Sequence, residues 1–238
     1  WVLQRLVADI PGTGTDLMRM GVGGLLKEIP SRPMPRAEAA AQEKEPETVE
    51  PFNIGAIVLA AGQSRRMGNI NKLMAEIDGK PMVEYAVEAT LGSHASPIIV
   101  VTGHEPDRIK EALSGRDVIF VHNPDYAAGL STSLRQGLSA LDPAVDGAVV
   151  CLGDMPGITS GHINRLIDAF EPDDGHAICV PTFNGKRGNP VLWHRRFFTA
   201  MADVSGDVGA RHLIGDNQEV LLEIPMDDNA ILADLDTP

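Results

Sequence analysis

The chain has 238 residues, of which 43% are hydrophobic and 22% are charged, a composition typical of globular domains. Its formal net charge of −13 argues against a general nucleic-acid binder, which normally presents a basic face. No apolar run approaches the ~20 residues that a membrane-spanning helix needs. Cys151 and Cys179 lie in separate apolar runs and are predicted to be reduced core residues, as in a cytoplasmic protein. We therefore expect a cytoplasmic protein with neither nucleic-acid nor membrane partners.

Residues 1–52 are predicted to be the tail of a preceding domain followed by a linker. The chain begins at Trp1 rather than at a methionine and shows no signal-peptide pattern, so we expect a fragment of a longer polypeptide. The stretch from Pro30 to Pro51 is dense in proline and glutamate, and such a composition buries too little apolar surface to form a core. The main domain is expected at residues 53–238.

In the main domain, short runs rich in valine and isoleucine alternate with helical patterns. The runs predict strands, buried on both faces, at 54–60, 97–102, 118–122, 147–152 and 177–182. Helices are predicted at 82–91, 106–113, 131–141 and 160–170, with Pro106 in a first turn and Ser131 as an N-cap. This alternation indicates an α/β fold: a doubly wound, mostly parallel sheet with helices on both faces. Such a sheet places its ligand crevice at the carboxyl ends of the strands.

The first chemical motif is the segment 57–73, IVLAAGQSRRMGNINKL, in which a predicted strand runs into a glycine-rich, basic loop. The small residues 60–62 let the backbone approach a ligand closely, and the N–H groups of such a turn converge on an anion. Arg65, Arg66 and Lys72 add positive charge suited to a triphosphate. The alternative is an ordinary glycine-rich turn whose arginines are exposed to solvent and bind no ligand.

Two better-known phosphate loops do not fit this segment. A Walker loop places serine or threonine after its lysine, whereas Leu73 follows Lys72. A dinucleotide fingerprint reads G-x-G-x-x-G, whereas the residues between Gly62 and Gly68 are too many and too basic for that motif.

The second motif is VVCLGDMPGI at 149–158, where a predicted strand ends in a turn that contains Asp154. A carboxylate at the sheet edge beside the phosphate loop suits Mg²⁺, which binds one or two carboxylates together with phosphate oxygens and waters. The alternative for Asp154 is an ordinary turn or N-cap aspartate.

The third motif is HNPDYAAGLSTSLRQGL at 122–138. The amide of Asn123 can read a base edge because it offers both a donor and an acceptor. The helix start near Gly129 and Ser131 suits an anion or ribose hydroxyls, although helix capping would explain Ser131 equally. Thr102 ends another predicted strand and is a further candidate for a base contact.

The fourth motif is FNGKRGNPVLWHRRF at 183–197, which opens with the hairpin signal Asn184-Gly185. The basic residues Lys186 and Arg187 follow, and then Gly-Asn-Pro at 188–190. A basic loop that contains a flexible glycine suits the binding of an anionic acceptor substrate.

The pattern L-A-A-G-x-S-x-R-M-G followed by N-K-L resembles the molybdenum cofactor cytidylyltransferase group within the molybdenum cofactor nucleotidyltransferase family. The resemblance covers residues 54–238 and implies a fold like that of the nucleotide-diphospho-sugar transferases. It implies transfer of CMP from CTP to the terminal phosphate of molybdenum-molybdopterin, with release of pyrophosphate and with Mg²⁺ as cofactor. An apo-molybdoenzyme that receives the product is an expected partner. The N-terminal segment is similar to the end of a molybdopterin-binding domain, which predicts a fusion.

The resemblance also assigns roles to individual residues. Lys72, Asp154 and Arg66 are the implied catalytic residues, and the metal is assigned to Asp154 and Asp236, with Asp234 as the fallback. The implied nucleotide contacts are Leu59, Ala60, Ala61, Gly62, Ser64, Arg65, Gly68, Thr102, Asn123, Gly129 and Ser131. The implied acceptor contacts are Arg187, Gly188, Asn189, Pro190 and Arg211.

The nucleotide base and the acceptor remain open at this stage. The cytidylyl branch of the family shows L-A-A-G where the guanylyl branch shows L-A-G-G, so Ala61 favours CTP. One methyl group discriminates by only ~1–3 kcal/mol and cannot carry this specificity alone. The alternatives are a guanylyltransferase or a sugar-phosphate nucleotidyltransferase of the same fold and, outside enzymes, a molybdenum cofactor carrier for an apo-enzyme.

Overall fold

A computed structural model describes residues 51–63, 71–206 and 210–234, and the structural statements below concern these residues. The predicted tail and most of the predicted linker lie outside them, so the domain boundary at 52/53 stays a prediction.

An eight-stranded sheet forms the centre of the described structure. Its strands are β1 (Ile54–Ala60), β4 (Ile98–Thr102), β5 (Ile119–His122), β6 (Gly147–Leu152), β7 (Ile178–Phe183), β8 (Lys186–Arg187), β9 (Val191–His194) and β10 (Leu221–Pro225). Across the sheet the order is β10-β7-β9-β6-β1-β4-β5, and β8 pairs with β7. Two short strands, β2 (Glu76–Ile77) and β3 (Lys80–Pro81), form a separate antiparallel hairpin.

Six α-helices accompany the sheet in the described ranges. They are α1 (Met82–Leu91), α2 (Pro106–Ala112), α3 (Leu130–Ala140), α4 (Ser160–Asp168), α5 (Phe198–Ala202) and α6 (Arg211–Asp216). β1 runs parallel to both β4 and β6, β4 is parallel to β5, and β7 is parallel to β10. Only β9 and the short β8 run antiparallel to their neighbours in this sheet. The predicted doubly wound, mostly parallel α/β fold is therefore confirmed.

Two hydrophobic layers enclose the sheet, one on each face. Successive residues of β1 contribute to opposite layers: Val58 packs with α1, α2 and α4, whereas Ile57 packs with α3, α5 and α6. All residues of β1 and β4 are buried, which explains why these strands are continuous apolar runs rather than alternating ones. On one face α3 approaches the sheet closely, since a methyl group at Gly137 would lie 2.5 Å from Ile57 Cγ2.

The structure corrects two expectations. The predicted strand at 118–122 is β5, which lies at one edge of the sheet and is half exposed rather than buried on both faces. Helix α3 is capped by Gly129 (φ 117°) and begins at Leu130, so the prediction that Ser131 is the N-cap is wrong. Ser131 is instead buried in the first turn of α3. By contrast, Pro106 does start α2, and residues 184–185 form the turn between β7 and β8.

Cys151 in β6 and Cys179 in β7 are both free and buried, as predicted for core residues. Burial penalises the thiolate and raises the pKa of each thiol to about 12. At neutral pH both side chains are therefore uncharged thiols.

We expect both native thiols to react with DTNB at pH 8 roughly a hundredfold more slowly than free cysteine, because the thiolate is the reactive form. The measurement is the release of thionitrobenzoate in buffer. The same protein in guanidinium chloride, where both thiols should react fully, serves as the control. Rapid modification of either cysteine in the native protein would contradict the burial.

Candidate active site

Lys72 and Asp154 meet at the carboxyl edge of the sheet. β1 and β6 are adjacent and parallel, so the loops that follow them leave the same edge, and Gly153 N–H donates to the carbonyl of Leu59 at 3.0 Å. Lys72 Nζ lies 3.1 Å from Asp154 Oδ2, although the two residues are 82 positions apart in the sequence. The exposed fractions of their side chains are 9% and 30%. Two motifs recognised separately in the sequence thus form one ion pair.

Lys72 is held by a short 3-10 helix (Lys72–Met74) whose cap is Asn71. The side-chain oxygen of Asn71 accepts from Leu73 N–H at 3.1 Å, and the buried Leu73 anchors the segment in the core. Asn71 itself is buried, and its Nδ2 has no hydrogen-bond partner among the described residues. Sequence reasoning missed the structural role of Asn71, although asparagine before a helix is a recognisable capping signal.

At the described start of the glycine-rich loop, Ala61 is closely packed, whereas the space beside Gly62 is open. At Gly62, which is exposed, an added methyl group would meet nothing within 4 Å. Ala61 is buried, and a methyl group at Gly103 would lie only 2.8 Å from Ala61 Cβ and 2.5 Å from Tyr126 Cβ. The chain after β4 therefore needs glycine at 103 to pass beside Ala61.

Part of the predicted phosphate loop lies outside the described residues. Ser64, Arg65, Arg66 and Gly68 belong to this part, and their contacts with the nucleotide stay predictions.

Asn123 follows β5 and is fully buried. Its Nδ2 donates to the hydroxyls of Thr132 and Ser133, each at 2.9 Å, and its Oδ1 accepts from Asp125 N–H at 3.0 Å. Its backbone N–H donates to the carbonyl of Thr102 at 2.7 Å. Asn123 thus fastens the turn after β5 to the start of α3, while its predicted contact with a base stays a prediction.

The start of α3 also contacts a more distant segment. Ser131 N–H donates to the carbonyl of Gly206 at 3.2 Å. Further along the helix, Arg135 Nε donates to the carbonyl of Ala202 at 2.7 Å. These bonds tie the residues after α5 to α3, the helix on which a nucleotide contact is predicted.

A pocket of about 130 Å³ lies next to the ion pair, since Met155, the neighbour of Asp154, forms part of its wall. Its lining residues are Leu152, Met155, Arg187, Gly188, Asn189, Arg211, Ile231, Leu232 and Asp234. The structure thus brings four of the five predicted acceptor residues together. Pro190 is buried and is not among the lining residues. Sequence reasoning missed the apolar wall, because Ile231 and Leu232 come from a 3-10 helix (Ala230–Leu232) that carries no motif.

The pocket depends on close backbone contact between Gly188 and Ile231. Gly188 N–H donates to the carbonyl of Pro181, and Asn189 N–H donates to the carbonyl of Ile231 at 3.0 Å. A methyl group at Gly188 would lie 2.2 Å from Ile231 O. This position therefore requires glycine for packing as well as for any role in ligand binding.

The described residues include no group of three or more histidine, cysteine, aspartate or glutamate side chains that could hold a metal ion. Asp154 supplies a partly exposed carboxylate beside Lys72, and Asp234 lies at the wall of the adjoining pocket. A single carboxylate suits a cation such as Mg²⁺ that takes its other ligands from phosphates and water. Asp236, the predicted second ligand, lies outside the described residues.

The fold and the site define a nucleotide-handling α/β protein, and comparison with known proteins makes the class specific. The MobA-like NTP transferase domain matches residues 56–220, so this chain belongs to that family of nucleotidyltransferases. Among solved structures, Rv0371c from Mycobacterium tuberculosis superposes with a TM-score of 0.67 at 26% identity, covering 79% of this chain and 95% of that one. This likeness confirms the predicted nucleotide-diphospho-sugar transferase fold.

The chain is also similar to the molybdenum cofactor cytidylyltransferase of Escherichia coli K12. The two are 31% identical over 189 residues, which cover 78% of this chain and 92% of that protein. The bifunctional protein GlmU of Pelobacter propionicus is 30% identical over 131 residues, or 55% of this chain. That match spans only 28% of the GlmU protein.

Nucleotidyltransferases of this family commonly use a divalent metal, and one Rv0371c structure, with a TM-score of 0.61 at 24% identity, is a complex with manganese. In the part of this chain that the structure describes, no helix has the length and apolar character needed to cross a bilayer.

We expect Gly188→Ala to destabilise the protein by ~1–3 kcal/mol, because the new methyl group would push the Ile231 backbone away and weaken its bond to Asn189. Urea unfolding followed by circular dichroism measures the change. Gly215→Ala is the matched control: a methyl group at this position in α6 would meet nothing within 4 Å. Equal stability of the two variants would contradict the close contact.

Proposed function

We propose that this protein transfers CMP from CTP to the terminal phosphate of molybdenum-molybdopterin and releases pyrophosphate, a step in molybdenum cofactor maturation. The observation that carries the proposal is the 3.1 Å contact between Lys72 and Asp154 at the carboxyl edge of the sheet, beside a pocket with two arginines. Membership of the MobA-like family supports nucleotidyl transfer. The likeness to the Escherichia coli molybdenum cofactor cytidylyltransferase, which covers most of both chains, supports CTP and this acceptor.

On the nucleotide side, Lys72 is assigned to the α-phosphate. A lysine ammonium has three N–H donors, so a contact with Asp154 and a contact with a phosphate oxygen are compatible. Charge placed in advance at this site stabilises the charge that develops in the transition state. Arg65, Arg66 and the backbone amides that follow Gly62 are assigned to the β- and γ-phosphates and to the leaving pyrophosphate.

The chemistry requires no general base. The attacking group is a phosphate monoester, whose second pKa is ~6, so it is largely a dianion at pH 7. The bond that forms joins an acceptor oxygen to the α-phosphorus, and the bond that breaks releases pyrophosphate. The protein contributes position and charge to this displacement rather than a proton acceptor.

A divalent cation, taken here as Mg²⁺, would be held by Asp154 together with Asp236 or Asp234, and would neutralise charge on the triphosphate. The carboxylate of Asp154 would then contact both the cation and the ammonium of Lys72, with which it forms an ion pair. We assign the orientation of Lys72 to this ion pair.

On the acceptor side, the pocket has one apolar wall and one polar wall. Leu152, Met155 and Ile231 offer apolar surface, whereas Arg187 and Arg211 offer guanidinium groups. Arginine suits phosphate because its planar group donates two parallel hydrogen bonds. A flat organic molecule with a terminal phosphate, such as molybdopterin, fits this combination.

A sugar-phosphate acceptor is the second candidate. The identity of 30% to GlmU over 55% of this chain favours it, although that match covers only 28% of the GlmU protein. The apolar wall of the pocket suits a sugar less well than a pterin.

The first experiment measures pyrophosphate release by the protein with Mg²⁺ and molybdenum-molybdopterin, with CTP or GTP as the nucleotide. We expect turnover with a preference for CTP, to which Ala61 contributes no more than ~1–3 kcal/mol. A preference for GTP would indicate that the protein is a guanylyltransferase of the same fold. Pyrophosphate release only with a phosphorylated sugar would show that the acceptor is a sugar phosphate. Nucleotide binding without pyrophosphate release would favour the carrier function.

We expect Lys72→Met and Asp154→Asn each to lower kcat by ~10²–10³-fold, because each removes charge beside the reacting phosphate. The measurement is steady-state pyrophosphate release at saturating CTP, together with circular dichroism to check folding. Lys80→Met is the matched control, since Lys80 in β3 forms a partly exposed ion pair with Glu88 of α1, and this variant should stay within about twofold of wild type. Normal turnover by Lys72→Met would exclude its assigned role.

A further inference from the structure

The side chain of Gln218 links Arg187 of the pocket to the backbone of α6, the helix that begins with the second pocket arginine, Arg211. Arg187 Nη2 donates to Gln218 Oε1 at 2.9 Å, and Gln218 Nε2 donates to the backbone carbonyl of Ile214. Ile214 is buried in α6, and the first residue of that helix is Arg211. One amide side chain, which we call the Gln218 bridge, therefore joins the strand that carries Arg187 to the helix that carries Arg211.

Glu223 fixes the same guanidinium from a second direction. Arg187 Nε donates to Glu223 Oε1 at 2.6 Å, and Glu223 lies on the edge strand β10. A guanidinium is a rigid planar fork, so two acceptors on two of its nitrogens set the orientation of the whole group. The remaining N–H donors of Arg187 are then available for the pocket that it lines.

Arg187 needs such support because its own backbone holds it weakly. β8 has only two residues, both exposed, and it follows directly after a tight turn. A long side chain on such an element samples many rotamers, and ordering it when a ligand binds lowers the affinity. Partners that order the side chain beforehand remove this cost.

The contacts of Arg187 contribute little to the stability of the fold. The side chains of Arg187 and Glu223 are 39% and 45% exposed, and Gln218 is also exposed. Exposed ion pairs of this kind stabilise proteins only slightly. Their effect should therefore be found in ligand binding rather than in the unfolding equilibrium.

We propose that Gln218 and Glu223 are positioning residues for the acceptor: they hold Arg187 in the orientation that binds its phosphate, and Gln218 couples that orientation to α6 and Arg211. The inference rests on the proposed function for the identity of the acceptor. The hydrogen bonds of the bridge do not depend on that identity.

The kinetic test replaces Gln218 by methionine, which has a similar length but cannot bridge the two groups. We expect the KM for molybdenum-molybdopterin to rise roughly tenfold, while the KM for CTP stays within about twofold. The melting temperature should change by less than ~2 °C. Glu219→Met, at the exposed neighbour in the same 3-10 helix (Gln218–Val220), is the matched control and should change neither KM. An equal rise in both KM values, or none in either, would overturn the proposal.

A double-mutant cycle separates positioning from a general effect on the pocket. Glu223→Met should raise the acceptor KM in the wild-type background, yet by less than about twofold in an Arg187→Met background, because Glu223 acts only through Arg187. A full effect of Glu223→Met without the arginine would show that it acts by another route.

A measurement without turnover keeps this inference separate from the proposed function. The Nε–H resonance of Arg187 is assigned in ¹H–¹⁵N spectra as the arginine signal that is present in wild type and missing in Arg187→Met. We expect its hydrogen exchange to be slow in wild type and Glu219→Met, and faster in Gln218→Met and Glu223→Met. If the wild-type protein releases no pyrophosphate, the proposed function is wrong. The exchange rates still test whether Gln218 and Glu223 orient Arg187. Exchange of the Arg187 Nε–H in wild type at the rate of a solvated arginine would overturn the positioning by Glu223. Equal exchange rates in wild type and Gln218→Met would overturn the positioning by Gln218.

Discussion

The burial of a lysine ammonium governs the arrangement of this site. An ammonium removed from water needs a compensating charge, and the side chain of Lys72 is only 9% exposed. Asp154 supplies that charge because parallel pairing of β1 and β6 brings the two loops to one edge of the sheet. The sheet order, the cap at Asn71 and the packing of Leu73 all serve to place this one pair.

From that pair the site extends in two directions. Toward β4, the close approach of Gly103 to Ala61 and Tyr126 leaves no room for a side chain, while the space in front of Gly62 stays open. Toward β7 and β8, the pocket takes its arginines from a two-residue strand and from the first residue of a short helix. The proposed nucleotide side thus lies on buried parallel strands, whereas the proposed acceptor side lies on short elements that side-chain contacts hold in place.

This contrast explains what the sequence could predict. Strands 54–60 and 147–152 and helix 82–91 were predicted with their observed bounds, because apolar periodicity and burial agree there. Lys72 and Asp154 were predicted as site residues because each lies in a motif that follows a strand of that kind. The strands β9 and β10 and the wall at Ile231 were missed, since their runs are short and their burial depends on contacts with distant segments. The Gln218 bridge has no local signal, because its partner Arg187 lies 31 positions away in the sequence.

The antiparallel strand β9 lies between β6 and β7 and so separates two groups of parallel strands in the sheet. β9 pairs with β6 over four residues, and beyond it lie β7, β10 and the short β8, which carries Arg187 of the proposed acceptor pocket. Every lining residue of this pocket except Leu152 and Met155 lies after residue 186. Changes confined to residues 187–238 can therefore alter the proposed acceptor preference while the sequences of β1, β4 and β6 stay the same.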